Sequence, residues 1–271
     1  MKDVSSPNLE KWGILLKSLW GYEMLGVALS GGVDSALVCA AAVAELGACR
    51  VKAFSIQSPM EIPQEMEDAR RISDQLGVEH HIIELDELEI DNIRLNPVDR
   101  CYFCKLARLK KIQDHAGTVG VDQLVDGSNF DDRDDYRPGR KALAELGVKS
   151  PLADAGITKR EVRQLAHWQG LFVWDKPSNP CLASRFPYGV EISHLRIQQV
   201  ACAENGLKSL GFNELRVRYH ESTARLEVPT LLFEKVLEQR TLIVEKIQAC
   251  GFLYVTLDLQ GFRSGSMNEG L

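Results

Sequence analysis

Apolar and polar positions follow one rhythm through the first two thirds of the chain and another through the last third. Residues 9–20 carry apolar side chains at helical spacing. Residues 24–29 are a short apolar run that stops at a pair of glycines, which predicts a buried strand. Residues 36–46 predict a helix closed by Gly47, and residues 51–56 a second strand. Residues 63–76 predict a charged amphipathic helix, with proline at its start and Gly77 past its end. A third strand over 80–85, a helix over 101–115 and a fourth strand over 123–126 continue the alternation. Strands alternating with helices imply a parallel sheet covered on both faces, so residues 1–175 read as a doubly wound α/β domain.

Residues 175–189 hold three prolines and read as a loop, with 176–189 as the linker. Beyond it the order becomes helix (193–210), two neighbouring strands (215–219 and 224–228), helix (231–249) and strand (253–257). That order predicts a small α+β domain over 190–271. There is no internal repeat and no low-complexity tract.

Composition narrows the function classes. Hydrophobic residues make up 45% and charged residues 26%, the balance of a soluble globular protein. The formal charge of −6 argues against broad binding to nucleic acid or a membrane surface, and leaves a local basic site open. The first residues lack the apolar core of a signal peptide, and no apolar run approaches the roughly 20 residues that span a bilayer. The expected location is the cytoplasm.

Residues 30–35, Ser-Gly-Gly-Val-Asp-Ser, join a predicted strand to a predicted helix. Glycines there allow close backbone approach, and loop N–H groups with a helix N-terminus make an anion site. The two serine hydroxyls add donors suited to a pyrophosphate. An ordinary glycine-rich turn is the plain alternative. The loop lacks the Gly-Lys-Ser/Thr of a Walker A sequence and the spacing of a dinucleotide fingerprint.

The loop resembles the PP-loop of the N-type ATP pyrophosphatases, which cleave ATP between the α and β phosphates and leave AMP on the substrate. The resemblance implies ATP binding by Ser30, Gly31, Gly32, Val33, Asp34 and Ser35, with Asp34 acting in catalysis. Residues 126–132 (Asp-Gly-Ser-Asn-Phe-Asp-Asp) stand where that family has a Gly/Asn/Asp motif close to nucleotide and Mg²⁺, which implicates Asp126 and Asn129. Carboxylates there suit Mg²⁺ as hard oxygen ligands; a polar turn after a strand is the alternative.

Four further segments, residues 135–139, 184–189, 216–220 and 261–268, make nearly the whole chain similar to the LarE sulfurtransferases of nickel-pincer nucleotide synthesis. In that family a carboxylate of pyridinium-3,5-biscarboxylic acid mononucleotide is adenylated, and sulfur displaces AMP to give a thiocarboxylate. Read from the residues alone, Arg216 and Arg218 alternate along a predicted strand, share a face and suit a phosphate. The resemblance implies that Ser184, Arg185, Arg216 and Arg218 hold the substrate phosphate, with Glu204 in the same site. The alternative is arginines that are solvated or paired with carboxylates. The resemblance also implies a homo-oligomer, a hexamer.

Seven cysteines, an odd number, speak against a disulfide framework. Cys39, Cys49, Cys202 and Cys250 sit in apolar stretches and read as small buried hydrophobes. Cys101 and Cys104 open a helix as a C-x-x-C, which puts two sulfurs on one face near a helix N-terminus, where thiolates are favoured. Cys181 lies in the linker. One form of the family sacrifices a single cysteine in that loop and lacks the C-x-x-C; this sequence departs from it and resembles the form in which three thiolates hold a [4Fe–4S] cluster. Zinc, a redox pair and unconnected cysteines are the competing readings. A PP-loop tRNA thiolase, a non-catalytic nucleotide or metal carrier and an ammonia-using amide synthetase are the competing functions.

Overall fold

The computed structural model describes residues 6–133 and 139–263, and the chain forms two compact units. One is built from Met1–Asp86 and Asp99–Asn179, the other from Glu87–Val98 and Pro180–Leu271.

The first unit carries helices α1 (Ser6–Leu19), α2 (Val33–Leu46) and α3 (Pro63–Leu76), and strands β1 (Leu25–Ala28), β2 (Val51–Gln57) and β3 (Glu79–Glu84). The chain then contributes α4 (Asp91–Arg94) to the second unit before returning. It resumes with α5 (Arg100–Thr118), β4 (Gln123–Val125), α6 (Gly139–Glu145), α7 (Pro151–Asp154) and α8 (Lys159–Trp168). All four strands are parallel in the order β3-β2-β1-β4. Leu25, Val27 and Val51 pack with apolar side chains of α1, α2 and α8 on one face. Phe54, Ile56 and Leu124 pack with Leu109 and Ile112 of α5 and Leu143 of α6 on the other. Burial on both faces explains why the strands read as continuous apolar runs. The doubly wound α/β expectation holds.

That strand order has a functional consequence. The chain runs outward from β1 to β3 and then returns to pair β4 on the other side of β1, with Val27 opposite Val125. In such sheets ligands bind beyond the carboxyl ends of the strands where the order reverses. Here those ends lead into residues 30–35 and 126–129.

The second unit carries α9 (His194–Lys208), β5 (Arg216–His220), β6 (Thr223–Glu227), α10 (Phe233–Glu238), α11 (Arg240–Ala249) and β7 (Tyr254–Leu257). β5 and β6 are antiparallel, and β6 and β7 are parallel. Its core gathers Phe186, Ile197, Val200, Val217, Leu226, Ile247 and Phe252. The segment Glu87–Val98 is stitched in by its backbone: the Ile192 N–H donates to the Arg94 carbonyl and the Gly189 N–H to that of Asn96, each at 2.8 Å. The helix expected over 231–249 is interrupted at Gln239, whose φ of −97° and ψ of 14° separate α10 from α11. Among the described residues, no helix is long and apolar enough to cross a membrane.

Candidate functional site

The loop after β1 is held from several sides. The Leu29 carbonyl accepts from Ser55 Oγ at 2.5 Å, which ties the end of β1 to β2. Ser35 Oγ then closes the loop: it accepts from the Ser30 N–H at 3.1 Å and lies 3.2 Å from both Ser30 Oγ and the Gly32 carbonyl. Gly32 is the N-cap of α2 and offers no side-chain cap, so the first N–H groups of this helix face outward without a protein acceptor from a cap. Such a helix start favours an anion. Gly31 has φ +79°, and a β-carbon there would lie 2.0 Å from the Glu65 carbonyl oxygen, so only glycine fits. Lys176 fastens the same place, donating to the Gly31 carbonyl at 3.1 Å while pairing with Glu65 at 2.8 Å and Asp68 at 2.6 Å.

Two acidic positions stand in the segments that follow the carboxyl ends of β1 and β4. Asp34, in the first turn of α2, accepts from Asn129 Nδ2 at 3.0 Å and pairs with Lys159. Asp126 is buried and accepts from Lys105 Nζ at 2.7 Å, Ser128 Oγ at 2.7 Å and Ser150 Oγ at 2.6 Å. Burial alone would raise its pKa, but the Lys105 ammonium and the hydroxyl donors outweigh that and hold the carboxyl below its usual range. The Asn129 N–H donates to Asp132 and the Lys159 N–H to Asp131, so all three acidic positions of residues 126–132 organise this corner. The structure thus brings Ser30, Ser35, Asp34, Asn129 and Asp126 together. Lys105, Lys159 and Lys176 were not anticipated. Lys105 follows Cys101 by one helical turn, which was the available signal.

Cys101 and Cys104 lie at the start of α5, one exposed and the other half-buried, three residues apart and so on one helix face. Arg100 Nη2 lies 3.7 Å from Cys101 Sγ. Cys181, half-buried, belongs to the second unit and caps the short 3₁₀ turn Leu182–Arg185. Among the described residues no group of three or more His, Cys, Asp or Glu side chains is gathered to hold a metal ion. Two readings of cysteine are corrected. Cys202 of α9 and Cys250, just past α11, are joined in a disulfide with Cα atoms 5.8 Å apart, because the packing of the two helices brings together residues 48 apart in sequence. Cys49 is exposed, in a 3₁₀ turn after α2. Of the four cysteines read as core, Cys39 is the buried one, and desolvation pushes its thiol up to about 12.

In the second unit the arginines are buried and unequal. Arg185 is fully buried, with Nε and Nη2 on the two oxygens of Glu204 at 2.9 and 3.0 Å. Arg218 donates to the Ser184 carbonyl at 2.7 Å and to Glu227 at 2.9 Å. Carboxylate pairing, the alternative weighed from sequence, therefore describes both. Arg216 differs: its Nη1 donates to the Leu215 carbonyl at 2.7 Å, and its guanidinium lies 5.0 Å from the Phe262 ring centre. Among the described residues no carboxylate pairs with it at salt-bridge distance. Burial first, then the charges of Arg185 and Arg218, push its pKa down to about 10 against the pull of Glu204 and Glu227. A buried cation without its own counter-ion is a place for an anion. Residues 135–138 and 264–268, which carried part of the sequence resemblance, lie outside the described residues.

The family model described as asparagine synthase matches residues 21–102, which span the loop after β1. The chain is 39% identical over 261 residues to the pyridinium-3,5-bisthiocarboxylic acid mononucleotide synthase of Lactiplantibacillus plantarum, covering 96% of this chain and 95% of that protein. It is 44% identical over 247 residues to an uncharacterised protein of Synechocystis sp., covering 90% and 92%. Likeness to the glutamine-dependent NAD(+) synthetase of Aquifex aeolicus is confined to 68 residues at 37% identity, 25% of this chain and 12% of that one.

Proposed function

This chain belongs to the pyridinium-3,5-bisthiocarboxylic acid mononucleotide synthase family, the LarE sulfurtransferases, and from that membership we propose that it makes a thiocarboxylate from a pyridinium dicarboxylate mononucleotide with ATP and Mg²⁺. The observation that carries the reading is that Asp34 and Asp126, each with its own lysine, follow the carboxyl ends of the paired strands β1 and β4, at a helix start that has no side-chain cap. A carboxylate oxygen of the substrate attacks the α-phosphorus of ATP, and the bond to the β-phosphate oxygen breaks. The leaving pyrophosphate is received by the N–H groups of α2 and the hydroxyls of Ser30 and Ser35. Asp34 and Asp126 supply hard oxygen ligands for Mg²⁺, and the ammonium groups of Lys159 and Lys105 offset phosphate charge. A sulfur nucleophile then attacks the acyl carbon, and AMP departs with the electrons of the broken C–O bond.

Arg216 and Arg218 are assigned to the substrate phosphate, in a corner that also contains Ser184, Arg185 and Glu204. Arg216 is the one with guanidinium capacity to give. For the sulfur step we assign Cys101 and Cys104, which share one helix face, and Cys181 as the three thiolates that would hold a [4Fe–4S] cluster, soft sulfur ligands suiting iron. Such a cluster, when bound, offers sulfide at the iron that no thiolate holds. A homo-oligomer working in the cytoplasm completes the reading.

The test is product analysis with the mononucleotide. Wild type should release pyrophosphate and AMP, and Asp34→Ala and Ser35→Ala should abolish that release; ADP and phosphate as products would mean that the loop has been misassigned. Anaerobically reconstituted protein should hold about four irons per chain. Loss of H₂S from Cys181 after one turnover, with no iron bound, would replace the cluster by a sacrificial cysteine.

A further inference from the structure

We propose that Arg185 and Glu204 are positioning residues that fix the turn carrying Cys181, and that they do not bind the substrate phosphate. All the donors of Arg185 except one Nη2 N–H are already committed. A guanidinium has five N–H groups. Nε and Nη2 form the fork on Glu204, and Nη1 lies 2.6 Å from the Pro180 carbonyl, 3.1 Å from that of Cys181 and 2.9 Å from Ser184 Oγ. A phosphate held at two points by this guanidinium would have to break these bonds inside a fully buried site, drawing Arg185 away from its counter-ion Glu204.

The committed donors point at one target. The Cys181 carbonyl accepts from the Ser184 N–H at 3.0 Å, Ser184 Oγ at 2.8 Å and Arg185 Nη1 at 3.1 Å. With the Pro180 carbonyl also held, the peptide planes on both sides of the Cys181 α-carbon are fixed. The anchor is rigid in turn, because Glu204 projects from α9 and its Oε1 also takes the Val217 N–H of β5 at 3.1 Å. Arg218 closes the frame from β5 by its bond to the Ser184 carbonyl. Helix, strand and turn are thus locked around one thiol, whose direction is left to a single side-chain torsion.

This inference rests on the reading of Cys181 as part of the sulfur step, and the test separates the two. Two variants are used: Glu204→Gln, and the double variant Arg185→Met/Glu204→Leu, which removes both buried charges so that neither is stranded. In full-length, chelator-treated protein, the rate of Cys181 alkylation is read by mass spectrometry against exposed Cys49 in the same molecule. Loss of a charge-assisted bond should raise the Cys181 rate roughly tenfold or more, with Cys49 unchanged. Thiocarboxylate formation should fall to match, while mononucleotide affinity and pyrophosphate release persist. Wild-type alkylation of Cys181 in both variants overturns the proposal. So does a tenfold loss of mononucleotide affinity at unchanged alkylation, which would make these residues substrate contacts. Absence of thiocarboxylate from the wild type itself would sink the proposed function, and the alkylation comparison would still decide whether the pair fixes the turn.

Discussion

Gly127 turns so closely beneath Ser35 that a β-carbon added to it would lie 2.6 Å from the Ser35 amide nitrogen. The loop after β4 thereby uses the absence of a side chain to seat itself against the first turn of α2. Backbone lies on both sides of that approach, so neither partner yields cheaply. Gly127→Ala should lower substrate-dependent pyrophosphate release on the order of 10–100-fold through displacement of the phosphate loop. Initial rates with a thermal melt on the same sample check it; wild-type rates would show that the close approach is not needed.

Lys176 supports the loop from beneath, bridging Glu65, Asp68 and the Gly31 carbonyl. Lys176→Met strands two carboxylates beside the loop and should raise the KM for ATP roughly tenfold. Lys176→Arg should restore part of the loss. Steady-state kinetics with ATP varied at saturating mononucleotide separates this from an effect on the sulfur step; an unchanged KM for ATP would remove Lys176 from the loop's support.

Arg216 should discriminate between the two substrates. Removing a charge-assisted phosphate contact weakens binding by about tenfold or more. Arg216→Ala should therefore lose affinity for the mononucleotide while ATP affinity stays near wild type. Titration calorimetry with each ligand measures both, and equal mononucleotide affinity in the two proteins would exclude the contact.

His80 gives a pH signature to the first unit. Its ring lies between Ser55 Oγ at 2.7 Å and Ser73 Oγ at 3.2 Å, and burial, followed by the charges of Arg70 and His81, pushes its pKa down to about 4. The unfolded chain takes up a proton near pH 6.5 that the folded ring refuses. The stabilising contribution is therefore complete above pH 6.5 and is lost as pH falls through about 4. Urea midpoints should drop over that window in wild type and drop less in His80→Gln. Parallel curves would assign the acid sensitivity elsewhere.

The strand–loop–helix at residues 24–46 was legible because its strand is buried on both faces and its glycines punctuate it. The true start of α2 was not: Val33, Asp34 and Ser35 are poor helix formers by propensity, yet they form the first turn after the extended Gly32. Lys105, Lys159 and Lys176 were illegible as site residues, because a lysine bound to a carboxylate far away in sequence reads like any solvated lysine. The cysteines failed differently. Apolar neighbours made Cys202 and Cys250 look like core, whereas their partly exposed positions and the packing of α9 with α11 decide their pairing. The arginine pattern at 216 and 218 was visible in the alternation of β5, but which of the two carries a carboxylate depends on Glu227 across the hairpin.

The excursion of Glu87–Val98 makes the chain pass between its two units three times, after Asp86, Val98 and Asn179. No single cut can therefore separate the two units cleanly. A fragment beginning at Pro180 would lack the segment whose carbonyls at Arg94 and Asn96 receive Ile192 and Gly189. A fragment ending at Asn179 would carry that segment without its partners. The two units are in this sense woven into one piece of chain, and a protease would need several nicks to part them.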